Sequence, residues 1–416
     1  MSYMKNIYKN KAFLFIISSH FIHKIAETLY DLALPLLVLH ATGSSLLMGS
    51  MYALGFFAEF LVGFFGGAIV DSINRRKLLM FISALQALFI SFLPISASFK
   101  FFNMVIIFLV AFALDICIAI YRIADTSIIP QLVEKEHLPQ ANGIMQMAIS
   151  TAEAIGPAIS GLLISTIGLF NSLWINFSTF ILLLSTLSLI KSQRTELNNN
   201  ISSPKQLWFS SVQGLHYTLK NPLFKLILIW NLFVNFGLSG SVLMIVFHLK
   251  EVIDLKSFEI GLVMTMSALG GITSGAIFSK IQAIFNSGKM LLISSLTTSI
   301  ALFLFPFQNN WISSGIVVFA LMFSVGLNSR LIYLLFQSSV PEKKLGRVIG
   351  ASRLISTLLA PVSVLIAGSI AKINSNYVFI GGSIIIAIST IVALNTDLKR
   401  ANWSVSMKSI ANTESQ

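Results

Sequence analysis

Residues 66–77 read GGAIVDSINRRK. An acid, an Asn and three cations are packed into a short polar break between two long apolar runs, in a chain that is 55% hydrophobic. The runs on either side decide the fold class. Only 11% of the 416 residues are Asp, Glu, Lys or Arg, and the mean hydropathy is +0.83. A soluble domain carries roughly 25% charged residues. So few charges cannot cover a soluble core of this length, and lipid must be the solvent. A helical span needs about 20 apolar residues. Twelve such runs are legible, at about 12–38, 45–69, 77–97, 101–122, 141–166, 170–190, 224–249, 257–279, 289–307, 311–336, 348–371 and 376–395. They are too long and continuous for barrel strands, which alternate over about ten residues. The first run, of roughly 27 residues, exceeds the apolar stretch of a cleaved leader and is expected to be a retained span.

The net charge of +12 is a topology signal. With the N-terminus placed in the cytoplasm, 23 of the 28 Lys and Arg residues fall at or near the inner side. Only Lys100, Lys250, Lys256 and Lys372 fall outside, and Lys24 lies within the first span. This is the positive-inside bias of a polytopic membrane protein. Both termini are expected in the cytoplasm, with anionic lipid rather than nucleic acid as the surface partner.

The chain repeats internally. Gly67-Ala68-Ile69-Val70-Asp71 after span 2 matches Gly275-Ala276-Ile277-Phe278-Ser279 after span 8, at an offset of 208. Val133-Glu134-Lys135-Glu136-His137-Leu138 with Gly143 matches Val340-Pro341-Glu342-Lys343-Lys344-Leu345 with Gly350, at an offset of 207. The reading is two six-span halves in parallel, 1–190 and 224–396, joined by a polar connector, 191–223, and followed by a tail, 397–416. In the connector, Ser203 and Pro204 suit a helix start. Leu207, Trp208, Val212, Leu215 and Leu219 share a face fit to lie on the inner membrane surface. Two six-span halves are the plan of secondary transporters, with the site expected near the midplane between them.

Against this plan the opening stretch acquires a resemblance. Gly67-x-Ile69-Val70-Asp71-x-x-Asn74-Arg75-Arg76 resembles the signature between spans 2 and 3 of the major facilitator superfamily, with Ser72 in place of the usual Arg and Asn74 in place of Gly. Asn tolerates positive φ better than most residues, so the turn is expected to survive. Gly156-Pro157-x-x-Ser160-Gly161 in span 5 resembles the family's antiporter motif, with Ser160 for one glycine. The stretch 129–142 and Gly214-Leu215-x-Tyr217-x-x-x-Asn221-Pro222 are similar to the subgroup of macrolide efflux pumps and enterobactin exporters. The resemblance implies an all-α integral membrane fold of twelve transmembrane helices in two six-helix halves. It also implies a gating role for Gly67, Asp71, Asn74, Arg75 and Arg76, in which Asp71 pairs with Arg75 and faces a helix N-terminus. Without the resemblance, the cations are a plain stop after a span. Gly156, Pro157, Ser160 and Gly161 are expected to gate by close packing and a kink, as the family's exporters do, or simply to pack.

Transport chemistry should use charges inside the membrane, each costing about 2.5–3.5 kcal/mol at a helix centre unless paired, neutral or wet. Lys24, Glu27, Asp31, Glu59, Asp115 and Glu153 lie there, all in the first half. His20, Lys24, Glu27 and Asp31 follow steps of 4, 3 and 4 on one helical face. Lys24 and Glu27 are spaced to pair. Glu27 and Asp31 repel, and a proton on one relieves the repulsion, so these acids are candidates for proton coupling or substrate contact. Asp115 shares a face with Arg122, which is either part of the site or an interface anchor. A static ion pair holding the bundle is the plainer reading of Lys24 and Glu27, and a metal at His20, His23 and Glu27 is a weaker alternative.

No phosphate-cradling G-x-x-x-x-G-K-[ST] occurs, nor H-E-x-x-H or G-x-S-x-G, so an ATP-driven, proteolytic or esterase role lacks a motif. The single Cys117 excludes an internal disulfide. The expected function is proton-coupled efflux of a small amphipathic molecule, such as a drug or macrolide, by alternating access. No enzyme activity and no cofactor beyond the proton gradient are expected. The chain is read as a monomer in a bacterial cytoplasmic membrane. Export of a siderophore or other anion is the alternative, with a membrane sensor or lipid-handling protein behind it.

Overall fold

The computed structural model describes residues 11–99, 103–125, 137–189 and 216–400, and among these every regular element is helical. Twelve helical spans are long and apolar enough to cross a membrane. The first six are α1 (Lys11–Thr42), α2 (Ser45–Ser72), α3 (Arg75–Ser98), α4 (Met104–Asp125), α5 (Leu138–Ile167) and α6 (Leu169–Leu189). Then come α7 (Pro222–Glu251), α8 (Ser257–Ile284), α9 (Ser287–Leu304) and α10 (Trp311–Ser339). The eleventh span is split into α11 (Glu342–Thr357) and α12 (Ala360–Asn374), and α13 (Asn376–Leu394) is the last. The expected connector helix falls mostly outside the described residues; 216–220 are helical.

Short polar side chains start many of these helices. Asn221, Asn286 and Asn310 accept hydrogen bonds from backbone N–H groups of the first turn, and Ser44 does so for α2. Each cap satisfies a donor that the helix itself cannot. Gly43 at φ +62° and Gly168 at φ +85° make the tight turns out of α1 and α5, where a side chain would be strained. Span 11 was read as one run over 348–371, but it breaks at 358–359. Pro361 has no N–H to bond the carbonyl of the preceding turn, and its ring crowds that turn. Pro157 has the same chemistry yet stays inside a continuous α5.

The turn that opened the sequence reading differs from its expectation. Asn74 has φ −58° and ψ 115°, outside the left-handed region. Its side chain instead caps α3 by accepting from the Lys77 N–H at 3.2 Å. Ile73 is extended at φ −121°, so an extended step and a capping Asn turn the chain without positive φ. Gly67 and Asp71 fall in α2, and Arg75 opens α3. Their side chains, and with them the Asp71–Arg75 latch, lie outside the described residues.

The chain divides into two compact units, Met1–Pro204 with Lys256–Thr265, and Lys205–Leu255 with Met266–Gln416. Four of the pairings occur in each. In the first, α1 packs on α5 and α6, α3 on α4 and α6, and α2 on α4. In the second, α7 packs on α11, α12 and α13, and α9 on α10 and α13. The repeat read at an offset of 207–208 is thus a repeat of packing. The second unit's core is tied by hydroxyls: Thr298 to Ser324, Ser295 to Thr390 and Ser299 to the Ser383 carbonyl. These hydroxyls can be buried in an apolar bundle because each of them has a partner.

Candidate functional site: an ion-pair chain beside an acid-lined cavity

The site lies within the first unit and is built from α1, α2, α4 and α5. Helical spacing puts Lys24, Glu27 and Asp31 along one side of α1, and packing brings Glu153, Arg122 and Glu59 to it. Lys24 Nζ donates to Glu27 Oε2 at 2.7 Å and lies 3.3 Å from Glu153 Oε1. Arg122 Nη2 lies 3.0 Å from Glu27 Oε1, and its Nη1 lies 3.1 Å from Glu59 Oε1. Charges therefore alternate in one continuous chain, Glu153–Lys24–Glu27–Arg122–Glu59, across four helices. Glu27 at its centre is 12% exposed, against 44% for Glu153 and 45% for Glu59 at the ends. The centre is where pairing matters most, because a buried unpaired charge is costly. Of the two readings left open for Arg122, the geometry has it bridging two acids inside the site.

Beside this chain is a cavity of about 200 Å³, lined by Glu27, Asp31, Glu59, Asp115 and Arg122 together with Tyr30, Met51, Tyr52 and Phe56. Asp31 and Asp115 make no hydrogen bond or ion pair among the described residues. Gly55 gives Asp115 its place, since a Cβ there would stand 3.0 Å from Asp115 Oδ2. Asp31 is exposed to the cavity while its neighbour Tyr30 is buried. The two cations of the cluster, Lys24 and Arg122, are already occupied by Glu27, Glu59 and Glu153. The free valence of the cavity is acidic, with aromatic and Met walls.

His20 leaves the α1 face on which the sequence grouped it. Its Nδ1 meets the Ile16 carbonyl at 2.9 Å and its Nε2 meets Asp125 Oδ1 at 2.7 Å. Among the described residues no group of three His, Cys, Asp or Glu is arranged to hold a metal, so the metal alternative at His20, His23 and Glu27 loses its geometry. Asp125 escaped the sequence reading because it falls just past the apolar run, and nothing local links it to a histidine 105 residues away. Tyr30 and Tyr52 carried no pattern that set them apart from lipid-facing aromatics.

The antiporter-like element is a close-packing seam. A Cβ on Gly156 would collide with Thr28 Oγ1 of α1. The Thr28 hydroxyl lies 3.2 Å from Ser160 Oγ, and Ser160 donates to the Gly156 carbonyl at 2.7 Å. A Cβ on Gly161 would collide with the Ser257 carbonyl, and one on Gly261 with the Pro157 carbonyl. Ala158 N–H donates to Thr265 Oγ1 at 3.0 Å. Backbone-to-backbone approach of this kind is what small residues permit between membrane helices. Arg76, read as a cationic stop, has a specific structural job. Its guanidinium donates to the carbonyls of Leu187 and Ser188 at 2.7 and 2.6 Å. These are the last turn of α6, where carbonyls lack helical partners and a cation is favoured.

Twelve apolar spans, packing repeated in two units and an ion-pair chain beside a cavity define a polytopic membrane transporter. The chain belongs to the major facilitator superfamily, whose model matches residues 16–364 and, in an overlapping second match, 248–408. It is 22% identical over 348 residues to the multidrug efflux pump Tap of Mycolicibacterium fortuitum, covering 82% of this chain and 84% of Tap. It is 26% identical over 345 residues to the enterobactin exporter EntS of Shigella boydii, covering 82% of this chain and 80% of EntS. In fold it is similar to a bacterial homologue of the iron transporter ferroportin in an inward-facing state. The TM-score is 0.71 at 17% identity, covering 92% of this chain and 98% of that one.

Proposed function

We propose that this superfamily member is a proton-coupled exporter of small amphipathic molecules, working by alternating access in a bacterial cytoplasmic membrane. The observation that carries the reading is a pair of acids, Asp31 and Asp115, without a hydrogen-bond or ion-pair partner among the described residues, on a cavity walled by Tyr30, Met51, Tyr52 and Phe56. A carboxyl group in a low dielectric with no cation bonded to it stabilises either a proton or a positively charged ligand, and not both. That exclusivity is the physical basis of antiport: the arriving proton displaces the substrate. One proton moving down 100 mV supplies about 2.3 kcal/mol to drive the cycle. Aromatic and Met walls suit the apolar part of a lipophilic cation or macrolide. The relationship to Tap supports a drug-like substrate.

Export of an anionic siderophore is the second reading, favoured by the relationship to EntS. It requires Lys24 or Arg122 to release its acids and turn to the ligand. We place the termini and the charge-rich turns on the cytoplasmic side and take the working unit to be a monomer.

Everted vesicles carrying the full chain, energised and loaded with a pH-reporting dye, test the reading. A panel of macrolides, tetraphenylphosphonium and catechol or citrate siderophores is added in turn. Compound-dependent proton release that disappears in Asp31→Asn or Asp115→Asn is the expected result. Release by siderophores alone would favour the second reading, and no release by any compound would overturn proton coupling.

A further inference from the structure

Next to the acid-lined cavity lies a small space lined by His23, Glu27, Tyr30, Asn176 and Phe180 among others. Three polar atoms of its lining residues are buried with no partner among the described residues: His23 Nδ1, the Tyr30 hydroxyl and Asn176 Oδ1. Asn176 is 2% and Tyr30 6% exposed. Buried polar atoms are rarely left unmatched. The space has a volume of about 10 Å³, which is about what one water occupies, and a buried water needs two to four polar partners. Glu27 lines both this space and the larger cavity, as do Tyr30 and Ile118, so Glu27 is a titratable residue common to the two.

On the far side of His23 stands a proton whose existence follows from geometry. The Ile16 carbonyl accepts only, so His20 Nδ1 carries a hydrogen toward it. His20 Nε2 and Asp125 Oδ1 are 2.7 Å apart. Two bare lone pairs would repel at that distance, so a hydrogen lies between them, whether on the ring or on the carboxyl. Tyr121 sits between the two histidines. Its hydroxyl is 3.4 Å from His20 Nε2, and its ring is 5.7 Å from the His23 ring. Asp125 is 24% exposed and is the last residue of α4.

We propose that the His20–Asp125 pair is a second proton-holding site, joined to Glu27 by a relay through Tyr121, His23 and one water in the small space. The proposal rests on the proton-coupled reading above and deepens it, giving the proton an exit that does not cross the substrate cavity. A proton arriving at Glu27 loosens its ion pairs to Lys24 and Arg122 and passes on to the water, which gives one of its own to His23 Nδ1. His23 releases its other ring proton toward Tyr121 and His20, the proton already shared there moves onto Asp125, and Asp125, 24% exposed at the end of α4, gives it up to solvent. Each group gains one proton and loses one, so one proton crosses and nothing is consumed. The titratable groups facing His23 are Glu27, Lys24, His20, Asp125 and Tyr121.

Two arms test it. The first needs no substrate. With ring-15N histidine in the full chain, in lipid nanodiscs, magnetisation should transfer from water to His23 Nδ1 and be lost in Asn176→Leu, which fills the space. No transfer in the wild type overturns the relay. In the second arm, proteoliposomes carry wild type, His23→Gln or Asp125→Asn. Gradient-driven movement of tetraphenylphosphonium should fall ~100-fold or more in the variants, the range a positioned proton-transfer group contributes. Exchange of labelled for unlabelled tetraphenylphosphonium without a gradient should persist, which a merely structural defect would not allow. If both activities persist, the relay is wrong and coupling stands. If both are lost together, these residues are structural and the relay is wrong. If wild type itself shows no gradient-driven movement, the coupling reading fails and the relay falls with it.

Discussion

The Arg122 guanidinium holds two carboxylates at once, with Nη2 3.0 Å from Glu27 and Nη1 3.1 Å from Glu59. It thereby ties α4 to α1 and α2 at the edge of the cavity. Because Glu27 also takes Lys24 at 2.7 Å, this carboxylate is neutralised from two sides while Asp31, one turn along α1, has no cation bonded to it. The same helix therefore carries one acid held by two cations and one that, among the described residues, is bonded to neither.

Arg122→Gln should lower the melting temperature of the full chain in detergent, because it leaves Glu27 and Glu59 short of a partner. Adding Glu27→Gln should recover part of the loss, with a coupling between the two sites of about 0.5–3 kcal/mol. Simple additivity of the two changes would show that the pair does not act as one unit.

Asp31→Asn and Asp115→Asn should behave differently. Neither breaks an ion pair, so stability should stay within about 0.5 kcal/mol of wild type, as for substitutions away from specific interactions. Proton release in vesicles should nonetheless fall ~100-fold or more. A large drop in melting temperature for either variant would mean that the acid has a partner the geometry does not reveal.

Gly156→Ala should be costly, since its methyl would meet Thr28 Oγ1. Overpacking of a tight seam destabilises by about 1–3 kcal/mol. Thr28→Ala in the same chain removes the obstructing hydroxyl and should restore most of it, as read by thermal unfolding of the double variant.

Asn74→Ala should cost about 1 kcal/mol, the usual value of a lost N-cap. Asn74→Asp keeps the acceptor for the Lys77 N–H and should be close to neutral. If the residue served instead through a left-handed conformation, Asn74→Gly would stabilise the turn rather than cost a few tenths of a kcal/mol.

Arg76→Ala removes both donors from the Leu187 and Ser188 carbonyls, and loss of hydrogen bonds to a charged group is worth about 1.5–3 kcal/mol. The contact is partly open to solvent, so the lower end is expected. Arg76→Lys, with no planar fork to reach two carbonyls, should recover little. Hydrogen exchange at the end of α6 in lipid nanodiscs would report the loosening directly.

Composition and hydropathy determined the fold class, because a twelve-span chain states its solvent in every run, and each run folds by local hydrogen bonds that need no distant partner. The offset between Gly67 and Gly275 gave the repeat for the same reason: it is a relation within the sequence. The list of membrane acids was legible because each carries an insertion cost wherever it goes. Pairing was not. Lys24 with Glu27 could be read from helical spacing, but Arg122 with Glu27 and Glu59, Glu153 with Lys24, and His20 with Asp125 depend on how α1, α2, α4 and α5 face one another. The turn at Asn74 shows the limit at short range as well, since the residue that suits a left-handed turn suits an N-cap equally. Only the tertiary structure decided which acids are neutralised and which stay free. That outcome is set by which side chains the packed helices bring within about 3 Å, where Coulomb attraction in a low dielectric becomes large.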